Sequence, residues 1–180
     1  MNIAIIGMGA LGLLYADLLE GDPTASVGFI VDADRRRAYR DQPVSVNGRP
    51  RSFHLLDVQR ADAPADLVVF AVKATALDRA IGDADAYIGP DTILLSLLNG
   101  ITSERILAER FGARSLVYCV AQGMDAVRRG RALRYSRRGV LCVGLPGGAR
   151  SVALDALCAQ FDRSGVPYQT VDEILHRLWS

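Results

Sequence analysis

A loop near the start of the chain has the residue types and spacing that bind phosphate. It reads Gly7-Met8-Gly9-Ala10-Leu11-Gly12, follows the apolar run 3–6 and precedes a helical pattern over residues 10–20. In this strand–turn–helix setting, the three glycines give a tight turn, close backbone approach to a pyrophosphate and helix–strand packing. The helix N-terminus adds unbonded N–H groups and partial positive charge. The motif predicts a dinucleotide site, and the alternative is a glycine-rich turn without a ligand.

The residues after the second predicted strand, 27–31, would distinguish between the two nicotinamide dinucleotides. Asp32 stands where an acidic side chain accepts from the adenosine ribose 2′-OH, which favours NAD(H). Arg35 and Arg36 follow closely, and guanidinium groups bind a 2′-phosphate well, which favours NADP(H). The two signals oppose each other. The arginines fit a solvated first turn of helix equally well.

Two polar residues follow the next predicted strands, 67–72 and 93–98. Lys73 comes directly after the first of these strands, and Asn99 directly after the second. Open α/β sheets bind ligands at the carboxyl ends of their strands, so both residues are expected beside the glycine loop. The alternatives are a solvated surface lysine and an ordinary Asn-Gly turn at Asn99-Gly100.

The elements that must position these residues alternate between strand and helix. Strands are predicted at 3–6, 27–31, 67–72, 93–98 and 116–120, and helices at 10–20, 34–40, 74–86 and 103–110. Ser103 is expected to cap the last of these helices. The strands are continuous apolar runs, as is typical of strands covered by helices on both faces. This order predicts an α/β, Rossmann-type, doubly wound and mainly parallel sheet.

Two parts of the chain depart from that alternation. Residues 44–46 and 51–55 flank Asn47-Gly48 and predict a small hairpin. After Gly123, residues 133–135 and 140–143 predict a small antiparallel extension, followed by a helix at 151–163, a strand at 166–169 and a last helix from residue 172. We expect one domain over 1–180, with a core at 1–123 and an extension at 124–180.

Composition excludes several functional classes. The 180 residues are 50% hydrophobic, and 21 basic residues balance 20 acidic ones. This balance argues against a nucleic-acid or membrane partner, and the six arginines between 128 and 138 are expected to lie along a solvated strand edge. The three cysteines are far apart and no histidine stands beside them, so no metal site or disulfide is expected and a reducing cytoplasm fits best.

The glycine loop, the Val72-Lys73 pair and the Leu98-Asn99-Gly100 segment together resemble the ketopantoate reductase (2-dehydropantoate 2-reductase) family, and the similarity continues to Trp179-Ser180. The resemblance implies an NADPH-dependent reductase of a small 2-keto acid, with a C-terminal helical domain completing the cleft. It places the glycine loop on the pyrophosphate, Asn99 and Lys73 near the reacting centre, and Ala126 at a cofactor contact.

Two departures from the family pattern affect these expectations. Many relatives carry arginine at the position of Asp32, which puts the NADP preference in question. The lysine that protonates the product in the family follows the Trp-Ser element, and the sequence given ends at Ser180. The 180 residues are therefore expected to lack ketoacid reduction by themselves, because positioned acid catalysis supplies roughly 10²–10⁴-fold.

Other interpretations remain open. A stand-alone dinucleotide-sensing module could use the same loop without chemistry, and another Rossmann hydroxyacid or opine-type dehydrogenase would share the motifs. Leu175, Leu178 and Trp179 share a helical face that is expected to form core or to be covered by the C-terminal helical domain, and that would favour association if it were exposed. A homodimer is among the assemblies compatible with the sequence.

Overall fold

Strands and helices alternate along most of the chain, as the sequence predicts. The computed structural model describes residues 1–58 and 60–179. The strands of the described residues are β1 (Asn2–Ile6), β2 (Ser26–Val31), β3 (Val44–Val46), β4 (Arg49–Arg51), β5 (His54–Asp57), β6 (Leu67–Phe70), β7 (Ile93–Ser96), β8 (Leu116–Met124), β9 (Val127–Arg129), β10 (Ala132–Arg134), β11 (Arg138–Gly144) and β12 (Tyr168–Thr170). The helices are α1 (Ala10–Leu19), α2 (Ala33–Asp41), α3 (Leu77–Ala84), α4 (Thr102–Phe111), α5 (Val152–Ser164) and α6 (Ile174–Trp179).

The main sheet has the strand order β12-β11-β8-β7-β6-β1-β2-β5. All its neighbouring strands pair in parallel except β11 and β8, which are antiparallel. Ile6 pairs with Phe70, and Phe70 pairs with Ser96. The carboxyl ends of β1, β6 and β7 therefore meet at one edge, where the glycine loop, Lys73 and Asn99 follow. The predicted Rossmann-type fold is confirmed.

Helices cover both faces of this sheet, which explains why its strands are apolar without alternation. Along β1, Ile3 and Ile5 join a buried cluster with residues of α1 and α5. Ala4 and Ile6 join a second buried cluster with residues of α3 and α4. Adjacent residues of one strand thus enter opposite cores, so both faces of β1 are buried.

The predicted hairpin is partly wrong. Asn47 and Gly48 adopt positive φ angles of 49° and 81° and connect β3 to β4, as a tight hairpin turn requires. Residues 54–57, however, form β5, which pairs in parallel with β2 and extends the main sheet. Gly28 of β2 makes room for this strand, because a Cβ at Gly28 would lie 2.8 Å from Leu56 Cγ.

The hairpin belongs to a second, small sheet with the order β4-β3-β10-β9. Arg131 fastens this sheet to the end of α2 by donating from Nη1 to Gln42 O at 2.8 Å and from Nη2 to Ala38 O at 2.9 Å. The expectation that the arginines of this region simply line a solvated edge is therefore wrong for Arg131, which satisfies carbonyls that end a helix.

The remaining elements complete the main sheet. The expected boundary after residue 123 falls within β8, and β11 pairs with that strand. Ser151 caps α5 by accepting from Leu154 N at 3.1 Å. Ser180 and the side chains of Leu178 and Trp179 lie outside the described part of the structure. No helix among the described residues is long and apolar enough to cross a membrane.

Candidate functional site

The turn between β1 and α1 requires glycine at two positions. Gly7 has a φ of 108°, and a Cβ there would lie 2.4 Å from Ala71 O, in the segment that follows β6. A Cβ at Gly12 would lie 1.9 Å from Gly7 O. Both distances are far below van der Waals contact, so the loop can pass under the β6 segment and fold back on itself only with glycine at these positions.

Gly9 differs, because its surroundings are open. A Cβ at Gly9 would meet only Ala71 O within 4 Å, at 3.7 Å. Gly9 is also the N-cap of α1, no side chain caps this helix, and its first turn contains no acidic residue. The first N–H groups of α1 therefore have no side-chain acceptor, and they lie at the positive end of the helix dipole, where an anion can bind. The space beside Gly9 and these free donors fit the pyrophosphate of a dinucleotide.

A cleft of about 510 Å³ opens beside this loop. Of the predicted site residues, it is lined by Gly7, Met8, Gly9, Ala10, Leu11, Arg35 and Lys73. Its lining also includes Tyr39, Arg79 and Arg128, which sequence reasoning missed as site residues. A slightly larger cavity of about 550 Å³ lies beside the amino ends of β1 and β2 and includes only Arg36 among the predicted site residues. The first cleft is therefore the candidate site.

Asp32 lies at the start of α2 and is held by two groups. Its Oδ1 accepts from the backbone N of Arg35 at 2.8 Å, which makes Asp32 the N-cap of the helix. Its Oδ2 accepts from Arg79 Nη2 at 3.1 Å, and Arg35 Nε lies 4.0 Å away. One carboxylate thus faces two guanidinium groups at the cleft. Arg36 turns elsewhere, because its Nη2 pairs with Asp57 Oδ2 at 3.4 Å.

Arg128 of β9 connects the second sheet to the glycine loop. Its Nη1 donates to the carbonyl oxygen of Met8, its Nη2 to Tyr39 Oη at 2.7 Å, and its Nε to Gly130 O at 2.8 Å. The guanidinium therefore fixes the Met8 carbonyl between the turn glycines. The expectation of a solvated strand edge is wrong for Arg128 as well.

The other predicted residues lie around this cleft. Lys73 and Asn99 are both exposed at the carboxyl edge of the sheet, but Asn99 is not part of the cleft lining. Gly12 is buried beneath the loop. Ala126 lies between β8 and β9, partly buried against the first core cluster and away from the lining. The structure thus brings together the glycine loop, Arg35 and Lys73, with Asp32 bound at their side.

The predicted cap of α4 is wrong. The helix begins at Thr102 with Ile101 before it, and no side chain caps it. Ser103 lies inside the first turn, only 2% exposed, and its hydroxyl donates to Glu104 Oε2 at 2.7 Å. Ser103 is already inside the helix, so it is not in the position from which a side chain caps it. No cluster of His, Cys, Asp or Glu suited to a metal ion occurs within residues 1–58 and 60–179.

Comparison with known proteins adds to this geometry. A family model described as ketopantoate reductase PanE/ApbA matches residues 3–144, which is most of the chain. The chain is 26% identical over 189 residues to the 2-dehydropantoate 2-reductase of Pyrococcus horikoshii, covering 100% of this chain and 59% of that protein.

Several solved structures, two of which follow, are similar over 99% of the chain. One is the 2-dehydropantoate 2-reductase of Geobacter metallireducens, with 29% identity, a TM-score of 0.82 and 60% of that protein covered. The other is a D-mandelate dehydrogenase in a ternary structure with NADH and anilino(oxo)acetate, with 24% identity, a TM-score of 0.85 and 59% covered. At this level of identity, the similarity to the D-mandelate dehydrogenase shows a shared fold. The chain thus spans about three fifths of the length of these relatives.

Proposed function

The chain belongs to the ketopantoate reductase family, and we propose that it forms the dinucleotide-binding part of an NAD(P)H-dependent 2-keto acid reductase. The observation that carries this proposal is the loop from Gly7 to Gly12. It presents an uncapped helix N-terminus to a cleft at the carboxyl edge of a parallel sheet. This is the place and the chemistry with which a Rossmann-type fold binds a dinucleotide pyrophosphate.

Each group around the cleft would have a separate task. The N–H groups of α1 would bind the pyrophosphate, and Arg35 and Arg79 would face the adenosine ribose beside Asp32. Lys73 and Asn99, at the ends of neighbouring strands, would orient the nicotinamide end and the substrate. When bound, the reduced nicotinamide would supply a hydride to the keto carbon. The proton that completes the alcohol would come from a lysine that lies, in the family, just after the position equivalent to residue 180.

The substrate class follows from the family rather than from the cleft. The Pyrococcus horikoshii and Geobacter metallireducens relatives are 2-dehydropantoate 2-reductases. We therefore propose 2-dehydropantoate as the substrate and pantoate as the product, which would place the protein in pantothenate biosynthesis in the cytoplasm. We also propose that residues 1–180 form a single domain and that the protein is a homodimer, by analogy with the dimeric ketopantoate reductase of Staphylococcus aureus.

The cofactor is proposed as NADP(H) by family default, with NAD(H) as the alternative that Asp32 supports. A carboxylate beside the ribose would repel a 2′-phosphate. The repulsion energy of two unit charges about 4 Å apart, at an effective dielectric of 20, is about 4 kcal/mol before screening by salt. In this protein, Arg79 and Arg35 lie against that carboxylate and would offset its charge. The net charge that Asp32, Arg35 and Arg79 present to the ribose would decide between NADP(H) and NAD(H).

Calorimetric titration of the 180-residue chain with NADPH and with NADH, at one fixed salt concentration, tests the proposal. We expect saturable binding of at least one of them with a stoichiometry of one site per chain. Tighter binding of NADPH would mean that the arginines outweigh Asp32, and tighter binding of NADH the reverse. No binding of either at millimolar concentration would contradict the proposed function.

A further inference from the structure

A chain of hydrogen bonds connects a buried carboxyl group to the loop that carries Asn99. The backbone N–H of Leu98 donates to Ser96 Oγ at 3.2 Å, and the Ser96 hydroxyl donates to Ser103 Oγ at 2.8 Å. The Ser103 hydroxyl then donates to Glu104 Oε2 at 2.7 Å. Each hydroxyl accepts once and donates once, so all the donors point the same way and end on Glu104.

The groups in this chain are removed from water. Ser96 and Glu104 are 0% exposed and Ser103 is 2% exposed. The second carboxyl oxygen of Glu104, Oε1, has no hydrogen-bond partner among the described residues. Burial raises the pKa of Glu104, and this effect is opposed by the hydrogen bond from the Ser103 hydroxyl and by the backbone N–H groups of Glu104 and Cys119. Tyr118 and Cys119 of β8 are the ionisable neighbours whose pKa values are raised partly by Glu104.

An acidic group in this position is costly for stability alone. A buried carboxyl with one unpartnered oxygen costs free energy relative to an apolar side chain of similar volume. The buried carboxyl group instead orders the backbone, because its hydrogen-bond chain fixes the first residues after β7. Those residues include Leu97, which lines the cleft, and the exposed Asn99, beside Gly100 at a φ of 82°.

We propose that Glu104 is a positioning residue for Asn99, acting through Ser103 and Ser96 on the loop of residues 97–101. This inference rests on the proposed function, because Asn99 has a task only if a nicotinamide ring and substrate lie at that edge. Glu104 itself would touch neither. Its contribution would be to hold Asn99 in one orientation before the cofactor arrives.

Three variants separate this role from a general effect on folding. Glu104→Leu keeps the buried volume and removes the terminal acceptor, whereas Glu104→Gln keeps an acceptor for Ser103. Ser96→Ala removes the acceptor of the Leu98 N–H directly. The 180-residue chain and each variant would be titrated with NADH and NADPH, and with the nicotinamide-free counterparts ADP-ribose and 2′-phospho-ADP-ribose.

We expect Glu104→Leu and Ser96→Ala to weaken binding of the reduced cofactor about fivefold, as for one lost buried hydrogen bond. Binding of the nicotinamide-free counterpart should be unchanged, and Glu104→Gln should restore most of the loss. In an Asn99→Ala background, Glu104→Leu should have no further effect, because both changes would remove the same contact.

Amide hydrogen exchange at Leu98 in the free chain tests the same chain of bonds without a ligand. Exchange should be faster in Glu104→Leu and Ser96→Ala than in the wild type and in Glu104→Gln. Unchanged exchange in Glu104→Leu, an equal loss of affinity for both kinds of ligand, or an additive effect with Asn99→Ala would each overturn the inference. A wild type that binds the nicotinamide-free ligands and not the reduced cofactors would overturn it too. A wild type that binds no dinucleotide at all would refute the proposed function, and with it the positioning role.

Discussion

Arg79 and Asp32 join two helices beside the cleft, with Arg79 Nη2 3.1 Å from Asp32 Oδ2. Arg79 also lies 3.5 Å from Asp83 Oδ2 on its own helix, and its side chain is 68% exposed. An exposed pair of this kind contributes little to stability. Its importance would lie in the charge beside the proposed ribose site, because Arg79 offsets the carboxylate that would otherwise repel a 2′-phosphate.

Asp32→Asn should therefore shift cofactor choice towards NADPH. The amide oxygen can still cap α2, while the negative charge beside the ribose is lost. We expect the ratio of the NADH to the NADPH dissociation constant to rise about tenfold, less than the unscreened Coulomb energy would give. Calorimetry with both cofactors at one salt concentration measures this ratio.

Arg79→Gln should move the same ratio in the opposite direction. Without Arg79, the Asp32 carboxylate is no longer neutralised, so NADPH should bind more weakly while NADH changes little. An unchanged ratio in both variants would show that neither side chain contacts the ribose of the bound cofactor.

Gly9→Ala and Gly12→Ala should separate binding from folding. A Cβ at Gly9 meets no protein atom closer than 3.7 Å, so this variant should keep the wild-type melting temperature and lose at least about tenfold in dinucleotide affinity. A Cβ at Gly12 would lie 1.9 Å from Gly7 O, so the second variant should lose at least about 2 kcal/mol of stability. Thermal unfolding and calorimetry check both. Wild-type affinity in Gly9→Ala would place the phosphates elsewhere.

The parts of the site that sequence reasoning predicted are those with local patterns. The glycine loop is recognised from a motif of six consecutive residues, and Lys73, which lines the cleft, directly follows a recognisable strand. Arg79 and Arg128 could not be found in this way, because they reach Asp32 and Met8 across 47 and 120 residues of sequence. The sequence pattern also places residues 54 and 55 in the hairpin, whereas they belong to β5, which pairs with the distant β2. A short apolar run does not indicate which of two sheets it will join.

Arg128→Met should weaken dinucleotide binding through the shape of the glycine loop. The variant keeps an unbranched apolar chain but leaves the Met8 carbonyl and the Tyr39 hydroxyl without their donor. We expect a three- to tenfold loss of affinity for NADPH and NADH alike, or about 1 kcal/mol. Arg129→Met, an exposed change in the same strand, is the matched control and should bind as the wild type does. Equal losses in both variants would indicate a general charge effect.

The acid limb of stability should depend on Asp22. Hydrogen bonds from the Thr24 hydroxyl and backbone, together with Arg163 and Gln160, hold the pKa of Asp22 below its ordinary value of 3.8. A carboxyl group whose pKa is lower in the folded than in the unfolded state stabilises the fold at pH values above its ordinary pKa. This contribution is lost as the pH falls below that ordinary pKa towards the pKa of the folded state.

Asp22→Asn should therefore melt at a lower temperature than the wild type at neutral pH, and this difference should shrink as the pH falls below about 4. Asp91→Asn, at an exposed loop position, provides the control. Thermal unfolding followed across this pH range gives the comparison, and a constant difference would contradict the assigned role of Asp22.

The contact between Arg128 and the Met8 carbonyl also bears on when the site can form during synthesis. Residues 7–12 are synthesised before Arg128, because the side chain that fixes Met8 follows it by 120 residues. A nascent chain that has emerged only as far as α4 already carries the glycine loop and lacks the strand that holds it. The glycine loop can therefore reach its final shape only after β9 has been made.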